Sequence, residues 1–289
     1  MERGKVNKPS AILCGDIHLR EDVPVCRTDD YEEAQWRKLD FISDLQKQYD
    51  IPCIHSGDLY HHWKPSPYLL AKTMQHLPKN FITCLGNHDL PQHSLDLLEK
   101  CGVNVLEKAG FLTVTGTHFG QTPTKATLLF PVNDSELLIW HVMNYQGKKP
   151  WPDCTDPTAS AIIKKYNYSL ILTGDNHKTF VEEYEGRVLV NPGSMMRMTA
   201  DQVDHKPCVF LWYAESNTVQ QVFLPIEEGI ISREHLDKKE ERNERIDAFI
   251  NRLNNDYKTE LSFEANLNAF FQANEVKESV KQIIYKSIE

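Results

Sequence analysis

Strand-length apolar runs recur through the first three quarters of the chain, at residues 11–14, 51–54, 81–85, 103–106, 111–114, 127–130, 137–140, 170–172, 187–190, 209–213 and 219–224. Their length and β-branched content predict β-strands. Between the early runs lie helical patterns, clearest over 31–49, where Trp36, Leu39, Ile42, Leu45 and Tyr49 return every three or four positions. The first third therefore alternates strand and helix. After residue 103 strands dominate, interrupted by a predicted helix over 157–166. This order predicts an α/β fold in four layers, two packed mixed β-sheets flanked by helices.

From Ile226 onward the composition shifts to charged helix formers. The run Asp-Lys-Lys-Glu-Glu-Arg at 237–242 leads into Ile246, Phe249, Ile250 and Leu253. Two more apolar stripes follow, Leu261, Phe263, Leu267, Phe270 and Phe271, then Val276, Val280, Ile283 and Ile284, both at helical spacing. The expected division is an α/β domain over 1–226 and a helical C-terminal appendage over 227–289. An amphipathic appendage of this kind covers a core or offers a surface to a homodimer or another partner.

With 289 residues, 40% of them hydrophobic, the chain can bury a sizeable core. No stretch approaches the ~20 apolar residues of a membrane span, and the start Met-Glu-Arg-Gly-Lys lacks an apolar signal core. Seven cysteines are scattered without a Cys-x-x-Cys pair. The expectation is a soluble cytoplasmic protein with reduced thiols. A net charge of −9 argues against a broad nucleic-acid-coating surface. It leaves Arg20, Lys64, Lys178 and Arg197 close to the polar motifs, so local charge can differ from the total.

Those motifs are Gly15-Asp16-Ile17-His18, Gly57-Asp58-Leu59-Tyr60-His61, Gly86-Asn87-His88-Asp89, Trp140-His141 and Gly174-Asp175-Asn176-His177. Each stands at the end of an apolar run, where loops are free to aim side chains. Any one of them alone is explained by a cap, a turn or a hydrogen-bonded histidine. Together they supply carboxylate, amide and imidazole donors without a thiolate, a set suited to Mn²⁺, Fe or Zn²⁺. Asp16 and His18 can reach one ion from a single extended turn. A carboxylate such as Asp58 can bridge two cations about 3.5–4 Å apart.

Through Asp-x-His, Gly-Asp, Gly-Asn-His-Asp, a lone His and a Gly-x-x-His segment, residues 10–195 resemble the calcineurin-like metallophosphoesterases. Gly57–His61, Gly86–Asp89 and the later Asn191-Pro192-Gly193-Ser194 with Arg197 are most similar to the SbcD-type nuclease subunits of double-strand-break repair. The resemblance implies two divalent metals, and the additional carboxylate of Asp175 favours Mn²⁺ among the candidates. Asp16, His18, Asp58 and His177 would hold one, and Asp58, Asn87, His141 and Asp175 the other. His88 and His61 match positions near the substrate phosphate, with Asp89 expected to orient His88 or else to act as a turn or cap. Asn191 and its loop would form a wall of the cleft, and Arg197 a phosphate contact. Asp175 departs from the family pattern, which has histidine there.

The expected activity is phosphodiester hydrolysis on DNA. Rival readings are a phosphodiesterase or phosphatase for small nucleotides or phosphomonoesters, and a metal-binding scaffold that recruits an ATPase. The resemblance also implies a coiled-coil ATPase partner.

Overall fold

The computed structural model of the chain describes residues 8–123, 128–129, 136–256 and 263–287. Two compact units result, Met1–Ser232 and Arg233–Glu289. The first is the α/β unit, and residues 227–232 stay with it. Arg197 donates to the carbonyl of Glu227, Thr28 N–H to that of Ile230, and Ser232 N–H to that of Cys26.

One sheet contains β1 (Ala11–Cys14), β2 (Cys53–His55), β3 (Phe81–Thr83) and β4 (Leu112–Val114), all parallel. It is extended beyond β1 by two antiparallel strands from late in the chain, Cys208–Tyr213 and Thr218–Phe223. The second sheet runs in the order β5 (Leu128–Leu129), β6 (Glu136–His141), β7 (Leu170–Gly174), β9 (Arg187–Asn191) and β8 (Phe180–Tyr184). Its central strands β6, β7 and β9 are parallel, and both edges are antiparallel. The two late strands of the first sheet are β10 and β11.

Side chains alternate across β1 with the period of two that a pleated strand imposes. Ala11 and Leu13 face a core shared with Leu137, Ile139, Leu170, Leu172, Val188 and Val190 of the second sheet. Ile12 and Cys14 face the opposite way, toward α1 (Tyr31–Tyr49), α2 (Pro67–His76) and α3 (Gly102–Lys108). On the far side, Leu138, Ile171 and Leu189 pack with Ala159, Ile162 and Ile163 of α4 (Ala159–Lys165). The architecture is therefore helix, sheet, sheet, helix. Helix α1 begins where the Asp30 carboxylate accepts from Glu33 N–H, and ends at Asp50 in a left-handed conformation.

The run at 103–106, expected as a strand, is helix α3. Cys101 Sγ caps it by accepting from Asn104 N–H, and Val103 and Leu106, three apart, are both buried while Val105 is exposed. A strand would have put Val103 and Val105 on the same face. Strand β8 has no counterpart among the predicted runs, because Glu182 and Glu183 interrupt its apolar content at a sheet edge. Its partner β9 follows through the two-residue turn Glu185-Gly186, both with positive φ, the backbone of a type I′ hairpin.

The C-terminal unit comprises α5 (Glu234–Asp256), α6 (Phe263–Ala273) and α7 (Glu278–Lys286). Within it Phe271 is buried and meets Tyr285 edge-on, joining α6 to α7. Of its apolar stripes, Phe249, Leu253 and Leu261 lie outside the residues whose side chains are described. No helix among the described residues is long and apolar enough to cross a membrane.

Candidate metal centre

Strands β1, β2, β3, β6 and β7 bring their C-terminal ends to one rim, and all five motifs meet there. The corners that follow β1, β2 and β7 are sharp. His18, Asp58 and Asp175 all have left-handed backbone, with φ of +51°, +58° and +75°. Such conformations cost free energy in non-glycine residues and persist only where the surrounding structure enforces them. Gly86 is required by close packing: a Cβ there would stand 2.0 Å from Asp58 Oδ1.

Asp58 occupies the middle. Its Oδ2 is 3.6 Å from Nε2 of His18 on one side and 3.6 Å from Nε2 of His141 on the other. Its Oδ1 accepts from His88 N–H at 2.8 Å. On the His18 side, His177 Nε2 lies 3.1 Å from His18 Nε2. Two nitrogens each about 2.1 Å from one ion would stand about 3.0–3.4 Å apart, so the pair has the spacing of neighbouring ligands. On the His141 side, Asn87 Oδ1 is 3.0 Å and Asp175 Oδ1 3.8 Å from His141 Nε2. His141 Nδ1 is 2.8 Å from the Ser56 carbonyl. A carbonyl only accepts, so Nδ1 carries the hydrogen and Nε2 is left bare toward Asp58, the orientation expected of a metal-ligating imidazole. Asp16 sits against the His141 side: its Oδ1 accepts from Asp175 N–H and lies 3.8 Å from His141 Nδ1.

These groups are poorly matched to one another without a cation. Burial pushes the Asp16 carboxyl up to about 7 and holds that of Asp58 well above the usual carboxylate range. Burial pushes His18 and His177 down, reinforced for His18 by its histidine neighbours. Asp16 Oδ2 is buried with no hydrogen-bond partner among the described residues. Buried carboxylates facing bare imidazole nitrogens are the donor set of a divalent cation site. Asp16, Asp58 and His141 bring ligand atoms within 4.8 Å of one another, and His18, His61 and His88 do the same, so the residues fit a divalent metal site.

A histidine cluster adjoins this centre. His88 and His61 stack with ring centroids 5.2 Å apart, and His18 lies edge-on to both. His88 Nδ1 is 2.7 Å from the His61 carbonyl, so its hydrogen points there and its Nε2 is released toward the cluster. Burial pushes His61 down to about 4. His62 is exposed and accepts from Lys64 N–H instead.

Two expected roles are corrected, and of the two expected for Asp89 the turn or cap is the one its contacts match. Its carboxylate accepts from the backbone N–H groups of Asp58, Leu59, Tyr60 and Gly86, which fixes the two loops that carry Asp58 and Asn87. Arg197 is not a phosphate contact, because its buried guanidinium donates to the carbonyls of Val203 and Glu227. Asn191 is fully buried rather than lining a cleft. Its amide donates to the carbonyls of Asn176 and Lys178, shaping the loop that carries His177. The backbone carbonyls of Ser56 and His61, which orient two histidines, have no signature in sequence because every residue has a carbonyl. The glycines before the ligands were the available hint of such close packing. His55, within strand β2, is a core residue bonded to Thr83.

A two-sheet sandwich with a carboxylate midway between two imidazole nitrogens is a setting suited to metal-assisted hydrolysis. The profile described as the calcineurin-like phosphoesterase superfamily domain matches residues 10–212, and the chain belongs to that superfamily. No curated sequence matches the chain. Among solved structures, it is similar to a novel archaeal phosphodiesterase at 14% identity and TM-score 0.44, over 74% of this chain and 99% of that one. A conserved uncharacterized protein of Streptococcus pneumoniae TIGR4, a predicted phosphoesterase, shares 11% identity at TM-score 0.31 over 70% and 80% of the two chains. Vps29 of Entamoeba histolytica, complexed with Zn²⁺, shares 12% identity at TM-score 0.34 over 74% and 97%.

Proposed function

We propose that the protein is a Mn²⁺-dependent phosphodiesterase acting on DNA, an exonuclease or endonuclease subunit of SbcD type. The observation that carries the hydrolytic part is Asp58 Oδ2, equidistant at 3.6 Å from His18 Nε2 and His141 Nε2, the place of a ligand shared by two ions. The DNA part is supported by the resemblance of residues 57–61, 86–89 and 191–194 to those nuclease subunits. When bound, two divalent cations would lower the pKa of a coordinated water and neutralise charge on the phosphoryl oxygens.

The chain's own residues supply the rest. Asp58, held by His88 N–H, keeps both halves of the centre in register. His141 is locked by Ser56 in the tautomer that presents Nε2. His88, anchored through Nδ1, offers Nε2 to the phosphate. In its doubly protonated form it donates from Nε2 to a phosphoryl or leaving oxygen. His61, stacked on it, restricts the ring to that orientation. An ATPase partner held through the C-terminal helices would supply the DNA grip that a chain of net charge −9 lacks.

The test is nucleotide release from end-labelled DNA with Mn²⁺, comparing wild type with His88→Gln at equal metal occupancy. Cleavage by wild type and a loss of about 10²–10⁴-fold in the variant are expected for an acid–base group. Absence of cleavage by the wild type with both metals bound, alongside turnover of a small phosphoester, would replace DNA with a small substrate.

A further inference from the structure

A cavity of about 470 Å³ shares His177 with the metal centre and is also lined by Lys178, Asp201, Asp204 and, from β11, Gln221 and Phe223. That volume is within the range of pockets that hold nucleotide-sized ligands. Part of its lining is committed to the fold. Gln202 accepts from the N–H groups of Met198 and Thr199 and donates to Ser194, and His205 Nε2 bonds the Ser194 carbonyl.

The rest is uncommitted. Lys178 and Lys206 are exposed and make no ion pair among the described residues, and the same holds for Asp201 and Asp204, which also line the cavity. Phe223 shows 55% of its surface at the edge of the sheet. An extended polyanion would meet Asp201 and Asp204 unfavourably. One nucleoside would not: its base offers a π-face to Phe223, and its edge carries both donors and acceptors for carboxylate and ammonium groups.

We infer that this cavity is a nucleoside subsite, holding the base and sugar attached to a phosphate seated at the metal centre. Phe223 stacks on the base, and Lys178, next in the chain to His177, is the lining cation that pairs with the phosphate. The subsite accepts one nucleotide beside the scissile bond. The inference rests on the phosphodiesterase reading above and narrows its substrate to esters with a terminal nucleoside.

Calorimetric titration of the full chain with Mn²⁺ present, using 5′-dAMP and deoxyribose 5-phosphate, tests it. The expected result is dAMP binding about tenfold tighter than the base-free sugar phosphate, with Phe223→Ala abolishing that preference. Lys206→Ala, at an exposed position with little bearing on folding, should weaken dAMP by a few-fold. Equal affinity for the two ligands in wild type, or unchanged dAMP affinity in both variants, would overturn the inference. Turnover of bis(p-nitrophenyl) phosphate, which carries no nucleoside, separates the two readings. A base preference without that turnover supports the subsite and counts against hydrolysis; turnover without a base preference does the reverse.

Discussion

Removing the Asp89 carboxylate should destabilise the α/β unit before it touches chemistry. Oδ2 accepts from the N–H groups of Asp58, Leu59 and Gly86, and Oδ1 from that of Tyr60, at 2.8–3.3 Å. Asp89→Ala leaves four buried donors without an acceptor. At about 1 kcal/mol each, the low end of the cost of a buried unsatisfied group, the loss is about 4 kcal/mol. The low end applies because burial already pushes the Asp89 carboxyl up, so the native group is itself not at ease. For a unit of this size such a loss lowers Tm by about 8–16 °C. Asp89→Asn keeps one carbonyl oxygen. Placed where Oδ2 was, it retains three bonds and turns an NH₂ against Tyr60 N–H, for a loss of about 1–2 kcal/mol. Thermal melts of both variants, paired with metal content and phosphoester turnover at saturating Mn²⁺, would measure this. The reasoning is refuted if Asp89→Asn melts with wild type, carries full metal and still loses turnover, since that outcome returns Asp89 to a role exerted through His88.

Asp175→Ala should leave the first metal in place and weaken the second by about 100-fold, at the upper end of what even outer-shell losses cost. Two tightly bound equivalents by elemental analysis would remove Asp175 from the ligand set. Gly86→Ala should push Asp58 aside, because the new Cβ lies 2.0 Å from Asp58 Oδ1; metal stoichiometry should fall, and full stoichiometry would contradict the contact. A pH effect is expected away from the metals, at buried Lys38, whose Nζ donates to the Met195 carbonyl and whose burial pushes it down to about 7 from 10.5. Below about 7 the folded state carries a buried cation at full cost. Between about 7 and 10.5 the unfolded chain binds more protons, so stability rises with pH, by about 5 kcal/mol at most. Urea titrations at several pH values should show Lys38→Met stabilised relative to wild type at pH 6, with the advantage fading toward pH 10; a difference independent of pH would exclude the titration.

The sandwich was legible because its inner strands are buried on both faces and read as uninterrupted apolar runs. The helix Tyr31–Tyr49 was legible because a single face meets the core. Elements whose burial is partial or shared were harder to read. At 103–106 four apolar or neutral residues in a row fit either period, and only the burial of Val103 and Leu106 with Val105 outside resolves them as helix. Strand β8 owes its place to a hairpin with β9 rather than to apolar content. In the site, the candidate metal donors announce themselves by residue type and by the glycines before them. Asp89 and Arg197 did not, since an acid beside a histidine and an arginine after a cleft loop have the same letters whether they face a substrate or the backbone. Their hydrogen bonds reach 29–31 positions from Asp89 to the Asp58–Tyr60 segment and 30 positions from Arg197 to Glu227, beyond any local pattern.

The left-handed corners at His18, Asp58 and Asp175 restrict which amino acids can occupy them. Among residues that ligate hard or borderline cations, aspartate, asparagine and histidine enter this region several-fold more readily than others. Glutamate and cysteine gain no such tolerance. The backbone therefore limits the alphabet of the centre before coordination chemistry acts on it. Exchange within that short alphabet leaves the turn undisturbed, so the corner at 175 that holds an aspartate would accept a histidine as well. On this view the corners are the fixed part of the site and the donor atoms its adjustable part. A lineage could then shift its preference among cations one letter at a time without rebuilding a loop.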